Sequence, residues 1–423
     1  MLSRRTSVLA IAALLVAGCG GGDTQQAAGE KASLSVWIME GTNPDAEPFF
    51  EAVSADFSAD TGATLDVQFV PWSSAHDKFV TSIAGGTGPD VAEVGTTWTP
   101  EFGEAGALAD LTDRVQTSGS AGDLVEGLVA SATVGDALYG MPWYAGVRSV
   151  VYRADIFAEL GLQAPTTWAE WVSVGTAIKA AKPDMIAMPV AGDNEYGVYP
   201  FIWGAGGQIA TQSGQAWACA LDSPEAREGI AFYTGLATEH GLSTPAATTW
   251  KETDLLENFA GGKLAMMLSG SWTPKTILAK NPGLEGKIGV FTIPGPDGGY
   301  SPSFVGGSHL AVFENSKQQD LAWSFIELMS TKKYATQWAQ QSSYFPGLVS
   351  LLTEVQEQDD PLVAPFAVQL EQAGDSVPVT PAYGQVQGKK TIPAMLQSIL
   401  SGTKTVEQAT KDAAAEMDGV LGS

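Results

Sequence analysis

From Leu34 onward the apolar positions change period repeatedly, and each change marks an element. Leu34–Ile38 is a short apolar run that predicts a strand. Phe49, Val53 and Phe57 then recur every fourth residue, one face of a helix that stops at Thr61-Gly62. Leu65, Val67 and Phe69 alternate as a second strand. Ser73 or Ser74 can cap a second helix with Ala75, Phe79 and Ile83 on its buried face, ended by Gly85-Gly86, and Val91–Val94 reads as a third strand. The order β-α-β-α-β predicts a parallel sheet with right-handed crossovers. In such sheets ligands bind beyond the carboxyl ends of the strands. The loops there span Met39–Pro44, Pro71–Ser73 and Gly95–Pro100, and they carry Glu40, Trp72, Thr96, Thr97 and Trp98.

The run Tyr139–Arg153, YGMPWYAGVRSVVYR, sets a Gly-Met-Pro break before Trp143 and Tyr144, a flexible Ala-Gly, and an apolar stretch from Val147 to Tyr152. Two readings fit it: a strand passing from one domain to another with its aromatics lining a cleft, or an ordinary core strand. The pattern then restarts. Thr166 or Thr167 caps a helix bearing Trp168, Trp171 and Val172, and Met185–Val190 reads as a strand. Ser223-Pro224-Glu225 starts a helix with Pro at its first position. Leu264–Ser269 predicts a strand ending in Gly270-Ser271-Trp272, and Ile288–Ile293 another, which runs into the breaker cluster Pro294–Gly299. Between these lies Asp193–Gly207, aromatic and glycine-rich without clear period. Ser308–Phe313 is a strand, Leu321, Phe325 and Leu328 mark a helix, and Tyr344-Phe345-Pro346-Gly347 breaks it; the remainder is helical.

Composition narrows the function. With 423 residues, 44% of them hydrophobic, and twelve Trp, the chain has material for two or three full cores. A formal charge of −25 repels nucleic acid and anionic lipid and favours a neutral or cationic ligand. No basic cluster exceeds a pair such as Lys332-Lys333 or Lys389-Lys390. Residues 1–18 form a signal peptide: Arg4-Arg5 precede an apolar stretch too short to span a bilayer, and small residues lead to Cys19. That ending resembles the bacterial lipobox, which would make Cys19 the acylated first residue, with residues 19–32 a flexible tether. Cys219 then stands alone, and His76, His240 and His309 have no ligand spacing, so no metal or other cofactor is expected.

Four motifs resemble, in the same order, the carbohydrate-binding branch of the solute-binding lipoproteins of ABC importers. They are GGTGPDVAEVGTTWTPEFGEAGALADLT (Gly85–Thr112), GMPWYAGVRSVVYR (Gly140–Arg153), AGGKLAMMLSGSW (Ala260–Trp272) and FVGGSHLAV (Phe304–Val312). The resemblance implies an α/β, two-lobed periplasmic-binding-protein-like fold, each lobe a mainly parallel sheet flanked by helices. Residues 33–145 plus 298–335 would form the N-terminal lobe and 146–297 plus 336–423 the C-terminal lobe. Hinge crossovers are implied near Ala145-Gly146, near Pro294–Gly299 and around Tyr334–Tyr344. Ligand contacts are implied at Glu40–Thr42, at Thr96, Thr97 and Trp98, at Trp143 and Tyr144, and in the Asp193–Trp203 loop with Tyr196 and Trp203. Trp272 matches a stacking tryptophan of the family. Tyr383 stands where the family often has Trp, with Lys389 as an alternative.

The chemistry points the same way. A pyranose has a face of C–H bonds that suits flat aromatics and an edge of hydroxyls that suits Asp, Glu, Asn or Arg. Trp72, Trp98, Trp143, Trp203 and Trp272 fall in loops or at strand ends, whereas Trp168 and Trp171 belong to a helix core. Arg148 reaches the cleft or forms a structural ion pair, and Glu93 is read as a buried, paired carboxylate. The expectation is a monomeric binding protein without chemistry of its own. It captures a neutral di- or oligosaccharide, meets ABC permease subunits, and touches the membrane only through its lipid. A secreted glycoside hydrolase, and a receptor for a polyamine or polyol phosphate, are the alternatives.

Overall fold

The computed structural model describes residues 31–40, 46–214, 216–356 and 360–422. The expected signal peptide, Cys19, most of the expected tether and Thr42 lie outside the described residues. The chain begins β1 (Ser33–Glu40), α1 (Glu47–Thr61), β2 (Thr64–Pro71), α2 (Trp72–Gly85), β3 (Val91–Gly95) and α3 (Thr99–Glu104). β1 pairs in parallel with both β2 and β3, as the alternating periods predict. α1 ends where Gly62 adopts a left-handed φ of 75°, a conformation that costs glycine little. Neither Ser73 nor Ser74 caps α2. The helix starts at Trp72, with extended Pro71 as its N-cap.

A thirteen-residue strand, β4 (Met141–Arg153), organises the rest of the chain, and its first eleven residues are buried. After it come α4 (Trp168–Ala181), α5 (Tyr199–Gly204), α6 (Pro224–Thr238), β5 (Met266–Gly270), α7 (Thr273–Lys280), β6 (Ile288–Phe291) and β7 (Ser303–Val312). Towards the carboxyl end lie α8 (Gln319–Met329), α9 (Lys332–Ser342), β8 (Phe345–Pro346), α10 (Pro381–Gly388), α11 (Thr391–Leu400) and α12 (Val406–Leu421). Thr167 caps α4 by accepting from the Glu170 amide, and Ser223 caps α6 by accepting from Ala226. Met185–Val190 forms no strand. The run includes Pro189 and joins the edge beside β5 through an isolated parallel bridge, Ile186 to Leu264, and the Met266 amide donating to Ala187 at 3.0 Å.

The sheet runs β6-β4-β7-β3-β1-β2, with β5 and β8 also on β4. β7 is antiparallel to both β3 and β4. β4 serves two neighbourhoods. Met141–Val147 pair with β7, while Arg148–Arg153 lie between β5 and β6, both antiparallel. The parallel ladders of β1 therefore sit at the β2-β1-β3 edge, Gly374–Asp375 adds a short parallel pairing to the start of β7, and the strands gathered on β4 are antiparallel.

Apolar side chains collect accordingly. Two clusters cover the faces of the first sheet half, one around Leu34, Phe57, Leu310 and Trp338, the other around Trp37, Phe79 and Phe313. Two more cover the second half, around Trp171, Phe201, Tyr233 and Leu396, and around Val151, Leu264 and Phe366. Core membership moves two of the expected boundaries. Trp338 on α9 packs in the first core, so the last crossing falls between Tyr344, in that core, and Phe345, in the second. Pro294–Gly299 is a turn of the second half, where the Trp168 indole N–H donates to the Pro294 carbonyl at 3.0 Å. The chain recrosses within β7, between Phe304 in one core and Leu310 in the other.

Candidate ligand cleft

Three crossing segments meet at one point. Ala145 of β4 pairs with Gly307 of β7 on one side and with Phe345 of β8 on the other. The cavity opens beside this junction, with a volume of about 360 Å³, inside the ~300–1,000 Å³ range of small-molecule sites. Its walls come from both halves. The first contributes Glu40, Trp72, His76, Thr97 and Trp98, and the second contributes Asn194, Glu195, Tyr196, Glu252 and Gln387, while Trp272 follows β5 of the second half and packs its ring against the first core.

An aromatic stack runs across the crossing strands. Tyr144 stacks on Tyr344 with centroids 4.0 Å apart, and Tyr344 meets Trp272 at 4.9 Å. Gly146 makes the stack possible, because a Cβ there would lie 3.0 Å from Tyr344 Cε1 and 3.1 Å from Trp272 Cζ3. Beyond Trp272 the Arg148 guanidinium lies 4.1 Å from the Tyr196 centroid and 5.4 Å from that of Trp272. Arg148 also makes a two-pronged pair with Glu252, at 2.9 and 2.8 Å, so it reaches the cleft and forms an ion pair at once. In the first half Trp72 and Trp98 lean together at 5.5 Å. Trp72, Trp98, Tyr196 and Trp272 are all half-buried, each leaving part of its ring to the cavity.

Glu195 is buried, accepts from the Gln387 amide, and is pushed up to about 7 by burial against that hydrogen bond. Among the described residues the Asn194 amide nitrogen and Gln387 Oε1 have no partner of their own. Asp193 pairs with Lys390 at 3.2 Å, and it is Lys390 rather than Lys389 that lines the cleft.

The two halves also touch away from the junction, at α3 and α10. A Cβ on Gly384 would fall 2.1 Å from Glu101 Oε2, and one on Gly388 3.0 Å from His76 Cε1. His76 Nε2 and Glu101 Oε2 are 2.9 Å apart beneath this contact.

Seven of the ten expected contact residues therefore line one cavity: Glu40, Trp72, Thr97, Trp98, Tyr144, Tyr196 and Trp272. Three do not. Trp143 points into the first core and stacks on Trp338 at 4.7 Å, with the Tyr144 ring only 5.0 Å away, because the register shift between Ser308 and His309 interrupts the strand's alternation at this point. Trp203 lies in α5, a short helix buried nearly all round, and packs at 5.4 Å from Tyr199. Tyr383 is fully buried on the core side of α10, its hydroxyl 2.8 Å from that of Tyr199. On that helix Gly384, Gln387 and Gly388, at i, i+3 and i+4, share the face toward α3 and the cleft. Glu252, Tyr344 and Gln387 went unpredicted as cavity-lining residues, and Glu195 was expected only as part of the Asp193–Trp203 loop. The Tyr344–Gly347 break was the one local signal for any of the first three.

Residues 41–336 match the family model described as bacterial extracellular solute-binding protein. The chain belongs to that family. Over its length this solute-binding protein is similar to the diacetylchitobiose binding protein DasA of Streptomyces coelicolor, 29% identical, covering 99% of this chain and 98% of that one. Among solved structures it resembles an ABC transporter solute-binding protein from Thermotoga lettingae bound with alpha-D-tagatose. That match has a TM-score of 0.84 at 26% identity and covers 92% of this chain and 100% of the other. The sugar-binding protein MalE from Xanthomonas citri gives a TM-score of 0.75 at 26% identity, with 92% and 98% covered. These relatives are binding proteins, and the two-lobed architecture is common to them and this chain.

Proposed function

We propose that this solute-binding protein is the extracytoplasmic receptor of an ABC importer and captures a neutral di- or oligosaccharide between its lobes. The observation that carries the reading is the cavity wall. Four half-buried aromatic rings, three of them packed against first-half cores and Tyr196 against a second-half core, line the cavity together with Asn194, Glu195, Glu252 and Gln387, the pairing of flat faces and hydroxyl partners that a sugar needs. The full-length similarity to a diacetylchitobiose binding protein makes that disaccharide the first ligand to test. Lobes rotating about Ala145, Gly307 and Phe345 would close on it, with α3 meeting α10 in the closed form. The loaded protein, a monomer, would then engage the permease while held to the membrane by a lipid on Cys19. Among the described residues no helix is long and apolar enough to cross a membrane.

The test is a tryptophan-fluorescence titration of the mature domain with diacetylchitobiose, trehalose, maltose, cellobiose, xylo-oligosaccharides, spermidine and glycerol phosphate. Saturation by one sugar, recovered unchanged, supports the proposal. Shortened sugar would indicate a hydrolase, and a response confined to spermidine or glycerol phosphate would assign another solute. Replacing Cys19 by Ser should move the protein out of the membrane fraction, and its retention there would refute the anchor.

A further inference from the structure

Glu93 lies behind the cavity and is 1% exposed. Three donors from three strands converge on its carboxylate. The Met39 amide of β1 donates at 2.8 Å, the Ser308 hydroxyl of β7 at 2.8 Å, and the Tyr144 hydroxyl of β4 donates as well. Among the described residues it makes no ion pair with Lys, Arg or His. An ionised carboxylate is acceptor-only and takes all three donors as charge-assisted bonds; a carboxamide or a neutral acid must itself donate and offers only neutral acceptors. Burial without a counter-charge nevertheless pushes the acid up to about 7, against the three hydrogen bonds. The titratable groups turned toward it are phenols, Tyr144 directly and Tyr344 behind it. β1 and β7 bring only Met39 and Ser308, and His309 points to the other face, onto Thr99 and Leu128.

We propose that Glu93 is a positioning residue for the ligand site: its ionised carboxylate holds Tyr144, and through it the Tyr344–Trp272 stack, in the geometry that receives the sugar. The proposal rests on the sugar-binding reading for its ligand only. Ser308 Oγ and Tyr144 Oη are 3.0 Å apart and share Glu93 Oε1. A proton on that oxygen is donated to the Tyr144 hydroxyl, whose own hydrogen then turns to Ser308 Oγ, so a charge-assisted bond is replaced by a ring of neutral ones about half as strong and the stack is held less firmly. Binding therefore weakens as pH falls through neutrality.

The experiment measures diacetylchitobiose affinity by calorimetry from pH 5.5 to 8.5, alongside the near-ultraviolet circular dichroism of the ligand-free protein. The wild type should bind about fivefold more weakly at pH 5.5 than at 8.5, the worth of one net hydrogen bond, with an aromatic signal that titrates over the same range. Glu93→Gln should bind at the low-pH level throughout and lose the spectral titration. Glu195→Gln, which removes the other acid pushed up to about 7 but from the cleft wall itself, should change affinity and still retain the Glu93-dependent spectral titration. Should Glu93→Gln not fold, Ser308→Ala retains the acid with one donor fewer and should move the midpoint upward. An unchanged slope in Glu93→Gln, or an unmoved midpoint in Ser308→Ala, overturns the proposal. Absence of sugar binding with the spectral titration intact and Glu93-dependent would overturn the ligand assignment instead and leave the positioning role standing.

Discussion

Substituting Gly384 by Ala tests whether the contact between α3 and α10 belongs to the closed form. The added Cβ would lie 2.1 Å from Glu101 Oε2, 3.0 Å from its Cδ and 3.1 Å from its Cβ. The carboxylate cannot simply swing clear, because it is held 2.9 Å from His76 Nε2, and Gly388 packs against the same imidazole. Either that hydrogen bond breaks or the helices separate, and overpacking of this kind costs about 1–3 kcal/mol. α3 is packed in the first half through Phe102 and α10 in the second through Tyr383 and Val386, so the cost falls on their approach and not on either core. If ligand drives the approach, the whole cost appears in affinity, a rise in Kd of roughly five- to 160-fold. Isothermal calorimetry should show that rise while the ligand-free melting temperature stays within a degree or two. Adding Glu101→Ala to Gly384→Ala should restore much of the loss by removing the obstruction. Wild-type affinity in the single variant would refute the steric argument. A drop in ligand-free stability equal to the loss of binding would show that the helices touch permanently.

The remaining predictions separate packing from binding. Trp98→Ala or Trp272→Ala should cost about 2 kcal/mol or more of binding, near thirtyfold in Kd by calorimetry, with little change in urea unfolding. Trp203→Ala and Trp143→Ala should do the reverse, lowering unfolding free energy by ~3–5 kcal/mol as buried aromatics do. Arg148→Met leaves Glu252 unpaired and should cost about 3 kcal/mol in urea unfolding of the ligand-free protein, the low end for a broken buried pair, since Glu252 keeps 20% exposure. Stability against pH combines opposing groups. Burial holds His309 down to about 4 from 6.5, so the unfolded chain takes that proton first and stability falls as pH drops from ~6.5 to ~4. Glu93 and Glu195 sit near 7 instead of 4.5, so the folded chain keeps protons the unfolded one has lost, and stability falls as pH rises from ~4.5 to ~7. His309→Gln should therefore leave melting temperatures that rise on acidification from pH 7 to 5 more steeply than in the wild type; an unchanged curve would refute the assignment.

Features set by neighbours a few residues apart were legible in the sequence. The first five elements, the caps at Thr167 and Ser223, and the core placement of Trp168 and Trp171 all follow from local period and capping chemistry. The strand read at Met185–Val190 failed because an apolar run says that residues are buried, not that they have a partner strand. Tryptophan was ambiguous for a similar reason. Trp143 and Trp272 have the same chemistry, and only the side of the strand or turn each faces decides between core and cavity. Glu252 and Gln387 carried no local signal, because their roles come from Arg148 and Glu195, 104 and 192 residues away.

The position of β7 bears on the order in which the molecule can be assembled. It lies between β3 and β4 in the sheet although roughly 160 to 210 residues separate it from them in the chain. A polypeptide emerging amino terminus first carries a sheet with its middle strand missing until Ser303–Val312 arrives, and long-range pairing of this kind is slow. One face of the early sheet cannot be fully sealed in that interval, because α8 and α9, which pack on it, come later still. Such a chain remains loose while most of its length is synthesised, the condition that threading through an export channel requires.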